Sequence, residues 1–179
     1  MDQEGCRLDC FEVINQRRSI RHYKSDPVND ADIMKILEAG RLAPSAGNLQ
    51  PCYFIVVKDP QVKSQLHKAA LGQDLIAQAP VVIVVCVDPE RSSKFGDTGR
   101  NYYTRLDAAN ATQNMLLAAC ALGYGSCWVG AFKEAAVKEL LALPDDFRVV
   151  SLIPLGKAAA NPPLPPRRSL EEIVRWNKW

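Results

Sequence analysis

Two stretches bring together side chains that could do chemistry. In "RRSIRHYK", Arg17, Arg18, Arg21 and Lys24 fall within eight residues with Ser19 among them, and Arg167 and Arg168 stand near the far end of the chain. Guanidinium forks bind phosphate oxygens in pairs and a hydroxyl adds one donor, so the set suits a phosphate monoester. A charge run is also what a solvated face looks like. In "APSAGNLQP", Ser45, Asn48 and Gln50 lead into the apolar "CYFIVV". Each amide offers an acceptor and a donor, as an imide edge requires, but the same residue types also shape an ordinary turn.

Those residues need elements to hold them. Asp9 followed by Glu12 reads as a capping box, opening a short amphipathic helix with Phe11, Val13 and Ile14 that delivers the arginines at its end. Asn29 caps a second helix with Ile33, Ile36, Leu37 and Gly40 on one face, ending before Pro44. Residues 53–57 and 81–87 are unbroken apolar runs, the pattern of strands covered on both faces. Between them, 61–78 reads as one or two helices. The polar stretch 88–99 reads as a loop, and 103–122 as a long helix whose small residues Ala108, Ala111, Ala118 and Ala119 permit close packing, stopped by Gly123.

Residues 123–132 read as a loop with a short extended piece, followed by a helix over 134–142 and a strand over 149–155. Helices alternating with strands make a layered α/β or α+β domain around one sheet. The Pro-rich tail after Gly156 ends in a second capping box, Ser169 with Glu172, opening a short helix that ends near Trp176. Ile173, Val174, Trp176 and Trp179 want burial, so the tail is expected to cross a surface, such as a partner subunit's.

Composition narrows the classes. A chain of 179 residues and 47% hydrophobic content fits one soluble domain, and a net charge of +2 gives no global pull towards nucleic acid or membrane. Neither a signal-type leader nor an apolar run of about 18 residues is present, so a cytoplasmic location is expected. The six cysteines read as reduced thiols, and Cys6, Cys10, His22 and His67 lack the spacing of a zinc tetrad, so no metal site is expected. Nucleotide loops of the G-x-x-x-x-G-K-[ST] or dinucleotide type are missing. Side chains must therefore hold any phosphate. A phosphate at one end and an imide at the other describe FMN.

The chain resembles the nitroreductase family of FMN-dependent oxidoreductases through "RRSIRHY" (17–23), "PSAGNLQP" (44–51), "LDAANATQNMLLAACALGYGSCWVGAF" (106–132), "IPLGK" (153–157) and "RRSLEEIVRWN" at the end. The resemblance implies an α+β fold, a three-layer α/β/α sandwich with a central mixed, mostly antiparallel sheet. It implies a single domain over 1–179 whose tail, 157–179, packs on the partner of a homodimer with flavin sites at the interface. It assigns Arg17 and Ser19 to the phosphate side, Arg21 to a basic position reaching the flavin or its phosphate, Arg18 to the cofactor-binding set beside them, and Arg168 and Arg167 to the C-terminal basic contact. Pro44, Ser45, Ala46, Asn48 and Gln50 form the loop lent to the partner's flavin, although Gln50 also fits a purely bracing role. Gln73 lies against the pyrimidine ring, and Val129 and Gly130 face N5.

Ala46 departs from a common serine, Cys52 from a common aromatic, and Lys157 from the residues frequent after Gly156. The short stretch between Asp88 and Tyr103, where the family sets substrate preference, makes this a compact member. The activity implied is ping-pong transfer of hydride from NADH or NADPH through N5 to a nitroaromatic, quinone or similar small acceptor, with no side chain named as catalytic. Other readings are a flavin-binding module without turnover, another flavin chemistry such as dehalogenation or flavin fragmentation, and a thiol enzyme using Cys52 or Cys127.

Overall fold

The computed structural model describes residues 9–179. Cys6 and the reading of the first eight residues lie outside them. Helix α1 (Cys10–Gln16) opens on the expected box: Asp9 Oδ1 accepts from the Glu12 N–H at 2.8 Å and Glu12 Oε2 from the Asp9 N–H at 2.9 Å. Its amphipathic reading needs correcting. Val13 is buried, but Phe11 is 76% exposed and Ile14 is exposed too, because only one side of the helix meets the rest of the chain.

Helix α2 (Asp30–Arg41) starts at Asn29, whose side chain accepts from the Ala31 N–H. Gly40 near its end lets it approach helix α6 (Thr104–Ala121), since a Cβ there would meet the Met115 side chain at 2.9 Å. Four strands, β1 (Cys52–Val57), β2 (Val81–Val87), β3 (Gly125–Ser126) and β4 (Arg148–Gly156), lie in the order β1-β2-β4-β3 with antiparallel ladders throughout. The parallel element is an isolated bridge between Ser19 and Ser126.

The sheet sorts its side chains by alternation. Val82, Val84 and Cys86 of β2 face α3 (Pro60–Ala69), α4 (Asp74–Gln78) and α7 (Glu134–Leu140), while Val81, Ile83, Val85 and Val87 face α2 and α6. Two cores on one sheet make the three-layer α+β sandwich. All of β2 is buried, as its sequence suggests. β1 is not covered on both sides: it is an edge strand paired with β2 alone, and Tyr53 stays exposed.

Two further segments differ from expectation. Residues 88–99 are wound rather than looped: a 3-10 helix (Pro89–Phe95), the single turn α5 (Gly96–Thr98) and a π-helical stretch (Gly99–Tyr103) run straight into α6. Asp88 caps the first piece by accepting from the Glu90 N–H, and Gly99 allows the fold-back, since a Cβ there would sit 2.1 Å from the Ser92 carbonyl oxygen. The last helix, α8 (Leu170–Ile173), is capped by Ser169 and Glu172 but stops short of Trp176, because Val174 is already extended. The apolar residues of the helix and of the chain after it find no cover among the described residues: Leu170 is exposed, Trp176 is 85% exposed and Trp179 fully so.

Candidate functional site

The arginine cluster follows the C-terminus of α1, where the chain turns extended at Arg17 and pairs with β3: the Ile20 N–H donates to Ser126 O at 2.9 Å. Gly125 makes this approach possible, since a Cβ on it would meet Ile20 at 2.7 Å. The Pro-rich tail crosses opposite. Arg17, Arg18, Ser19 and Arg21 on one wall, with Pro162, Pro163, Pro165 and Arg167 on the other, enclose a cleft of about 380 Å³. Arg17 donates no side-chain hydrogen bond among the described residues, and Arg21 makes a long one of 3.4 Å to Ser19 O. Their guanidinium groups are free for an anion. Arg18 is partly spent on its own chain, donating to Arg17 O at 2.9 Å, while its Nε is buried without a partner among the described residues. Arg168 does not line this cleft. It turns to α8, donating to Glu172 O at 3.1 Å and lying 3.8 Å from the Glu172 carboxylate.

A second group adjoins the first through the strand that Ser19 borders. Beyond Ser126 and Cys127, the Val129 N–H and C=O both exchange hydrogen bonds with Leu152 at 2.9 Å, so that residue's donor is committed. Gly130 is exposed, and its N–H has no acceptor among the described residues. A Cβ at 130 would meet nothing closer than the Trp128 ring at 3.7 Å, so this chain does not itself require glycine there. Gln73, preceding α4, donates to Ala131 O at 2.7 Å and Ala70 O at 2.9 Å, which fixes it beside Gly130. An open backbone donor on the segment whose start, Ser126, bridges to Ser19 of the basic cleft fits a flat cofactor with a phosphate tail.

The loop at 44–50 is built elsewhere. Gly47, Asn48 and Gln50 all have φ between 50° and 56°, which costs two non-glycine residues backbone strain. Ser45 Oγ accepts from the Gln50 N–H at 3.0 Å, and Gln50 Nε2 donates to Asn48 Oδ1 at 3.1 Å. Gln50 therefore braces the loop, while the Asn48 amide N–H groups point to no partner among the described residues. The loop borders a different cleft, of about 270 Å³, lined by Pro44, Ser45, Gln50, Cys52, Arg91 and Asp107 among others. Within one chain the structure does not join this loop to the arginine cleft.

Asp107 is the residue that sequence reasoning missed. Only 4% exposed, it accepts from the Ala46 N–H at 2.9 Å through Oδ1, whereas Oδ2 is buried without a partner among the described residues. Burial pushes its carboxyl above the usual range, against the pull of the Ala46 N–H. The signal available was a lone carboxylate on the buried stripe of α6 between Thr104, Ala108 and Ala111.

The thiols are poor nucleophiles. Burial, with the Asp107 charge adding to it, pushes Cys52 up to about 12. Burial also raises Cys127, against Arg21, the Ser19 hydroxyl and Arg17, which favour the thiolate. Neither environment suits a thiol enzyme. Among the described residues no helix is long and apolar enough to cross a membrane.

Comparison with known proteins places the chain in a family. A family model described as the nitroreductase family matches residues 14–73 and 61–157. A protein of Archaeoglobus fulgidus, named as a candidate NADH dehydrogenase/NAD(P)H nitroreductase, is 41% identical over 152 residues, covering 83% of this chain and 84% of its own. The NADPH-flavin oxidoreductase of Vibrio harveyi is 30% identical over 177 residues, covering 94% of this chain and 74% of its own. Among solved structures, the NADPH:FMN oxidoreductase of Vibrio harveyi complexed with NAD+ superposes with a TM-score of 0.87 at 30% identity, over 94% of this chain and 77% of that one.

Proposed function

We propose that this chain, which belongs to the nitroreductase family, is an FMN-dependent oxidoreductase that takes electrons from NADH or NADPH and delivers them to a nitroaromatic, quinone or similar small acceptor. An NAD(P)H-dependent oxidoreductase is the activity its relatives' names carry. The observation that supports FMN most directly is the cleft gathering Arg17, Ser19, Arg21 and Arg167 from the two ends of the chain.

When bound, FMN supplies two-electron chemistry at N5, alternately with the nicotinamide and with the acceptor. Arg17, Arg21 and Arg167 would hold the phosphate with Ser19 as a further donor, and Arg18 would raise the local positive potential. The Gly130 N–H is the donor available to N5, since that of Val129 is committed to Leu152. Gln73 would hold the Gly130 segment in place through Ala131. Pro44, Ser45, Ala46 and Asn48, braced by Gln50, would complete the site of a second copy, because in its own chain their loop borders, through Pro44, Ser45 and Gln50, a cleft separate from the arginines. The exposed apolar residues of the tail would pack on that same second copy. Arg168 is assigned to α8 rather than to the phosphate. The reducing cytoplasm is the compartment this reading assigns.

The test compares FMN with riboflavin, which lacks only the phosphate. Charge-assisted contacts of about 1.5–3 kcal/mol each from Arg17, Arg21 and Arg167 predict FMN binding on the order of 1,000-fold or more tightly. Arg17→Ala should shrink that ratio roughly tenfold, while equal affinity for the two flavins in the wild type would remove the phosphate assignment.

A further inference from the structure

The wound segment between β2 and α6 lies directly on the loop at 44–50. Arg91 Nε donates to Leu49 O at 3.0 Å. A Cβ built on Gly47 would meet Lys94 Nζ at 2.7 Å and Phe95 Cζ at 3.1 Å, so these two side chains rest on the loop's left-handed glycine. Both are exposed, with Lys94 Nζ 4.9 Å from the Phe95 ring centre. Phe95 in turn meets Tyr103 edge-on at 5.4 Å, and Tyr103 lies 5.9 Å from the exposed ring of Tyr102. The result is an aromatic shelf with an ammonium at its rim.

The charges of this segment are otherwise accounted for. Glu90 pairs with Arg100 at 2.7 Å, Asp97 lies 3.8 Å from Arg100, and Arg91 is held by the Leu49 carbonyl. Lys94 has neither a carboxylate nor a carbonyl partner among the described residues. The segment around it is fixed by the Glu90–Arg100 pair and by the close approach of Gly99 to the Ser92 carbonyl. Phe95 and Lys94 therefore stand exposed against the loop at 44–50.

We infer that Phe95 and Lys94 form a specificity subsite for a planar ring carrying a negative group. The inference rests on the reading above that the loop completes a second copy's flavin site. The ring lies along the exposed aromatic edge, and the ammonium takes the negative group. Two substrates share that chemistry: an aromatic acceptor bearing a carboxylate, and the phosphate-bearing nicotinamide donor. A partly exposed ion pair gives an effect on the order of tenfold at low salt, shrinking as salt rises.

Matched pairs in rapid-mixing kinetics on the full-length, flavin-loaded protein test this. Reduction is followed with NADH against the uncharged 1-benzyl-1,4-dihydronicotinamide, and reoxidation with 4-nitrobenzoate against nitrobenzene. Lys94→Glu should lower the charged-to-neutral rate ratio about tenfold in at least one pair, and Lys94→Arg should restore it. A fall confined to reoxidation places the acceptor in the subsite, and one confined to reduction places the donor there. Ratios within twofold of wild type in both pairs overturn the inference and leave the flavin reading standing, whereas a wild-type protein that takes up no flavin overturns both.

Discussion

Asp107 places a buried carboxylate beneath the loop that the proposed site depends on. Asp107→Ala removes the acceptor of the Ala46 N–H and should cost about 1 kcal/mol in urea unfolding. FMN affinity should fall with it, as the loop loses its anchor. Because burial raises the folded-state pKa, the folded chain holds this proton more tightly than the unfolded one. The contribution is therefore fully present below the unfolded value and is lost as pH rises through the folded value. Wild type measured against Asp107→Asn should gain stability as pH is lowered from 7 towards 4, by at most about 1.4 kcal/mol per unit, and a flat difference would contradict the raised carboxyl. The thiols make a second prediction. With Cys52 and Cys86 both pushed up to about 12, largely by burial, alkylation of the native protein at pH 8 should mark exposed Cys10 far ahead of either, read by peptide mass. Comparably fast labelling at Cys52 would reopen the thiol reading.

Among the elements, β3 carries the most weight for the site, because the Arg17–Arg21 segment is laid against it. Gly125→Ala would drive a Cβ into Ile20 and should destabilise by about 1–3 kcal/mol in thermal or urea unfolding. The same variant should weaken FMN binding more than riboflavin binding, since it displaces Ser19 and its neighbours; equal loss for the two flavins would argue that the displacement spares the phosphate side. Caps were the most legible part of this fold, because Asp9, Asn29 and Ser169 announce helix starts by local chemistry alone. What a segment meets across the molecule was less legible. The exposure of one side of β1 follows from its place at the sheet edge, and the winding of 88–103 from the fold-back onto Gly99, neither of which is written in the run of residues itself. For the site, the cluster of Arg17, Ser19 and Arg21 was readable from spacing. The companionship of Arg167 rather than Arg168, the commitment of the Val129 N–H and the place of Asp107 needed the tertiary contacts.

For the molecule as a whole, two features left open in one chain have one proposed resolution. The loop at 44–50 presents polar groups away from the arginine cleft, and Leu170, Ile173, Trp176 and Trp179 stand uncovered at the end of the tail. A second copy would satisfy both. The wild type should sediment as a dimer at micromolar concentration, and removal of residues 169–179 should shift it towards monomer with parallel loss of flavin; a wild-type monomer that holds FMN would refute the shared site. The central claim, that this is an NAD(P)H-driven flavin enzyme, is tested most directly by the visible spectrum of the purified protein. It would be recorded before and after anaerobic addition of NADH or NADPH, with the released chromophore identified by mass. A yellow protein that releases FMN and bleaches with at least one of the two nucleotides is the predicted result. A yellow protein that neither nucleotide bleaches, or a colourless one that refuses added FMN, would contradict it.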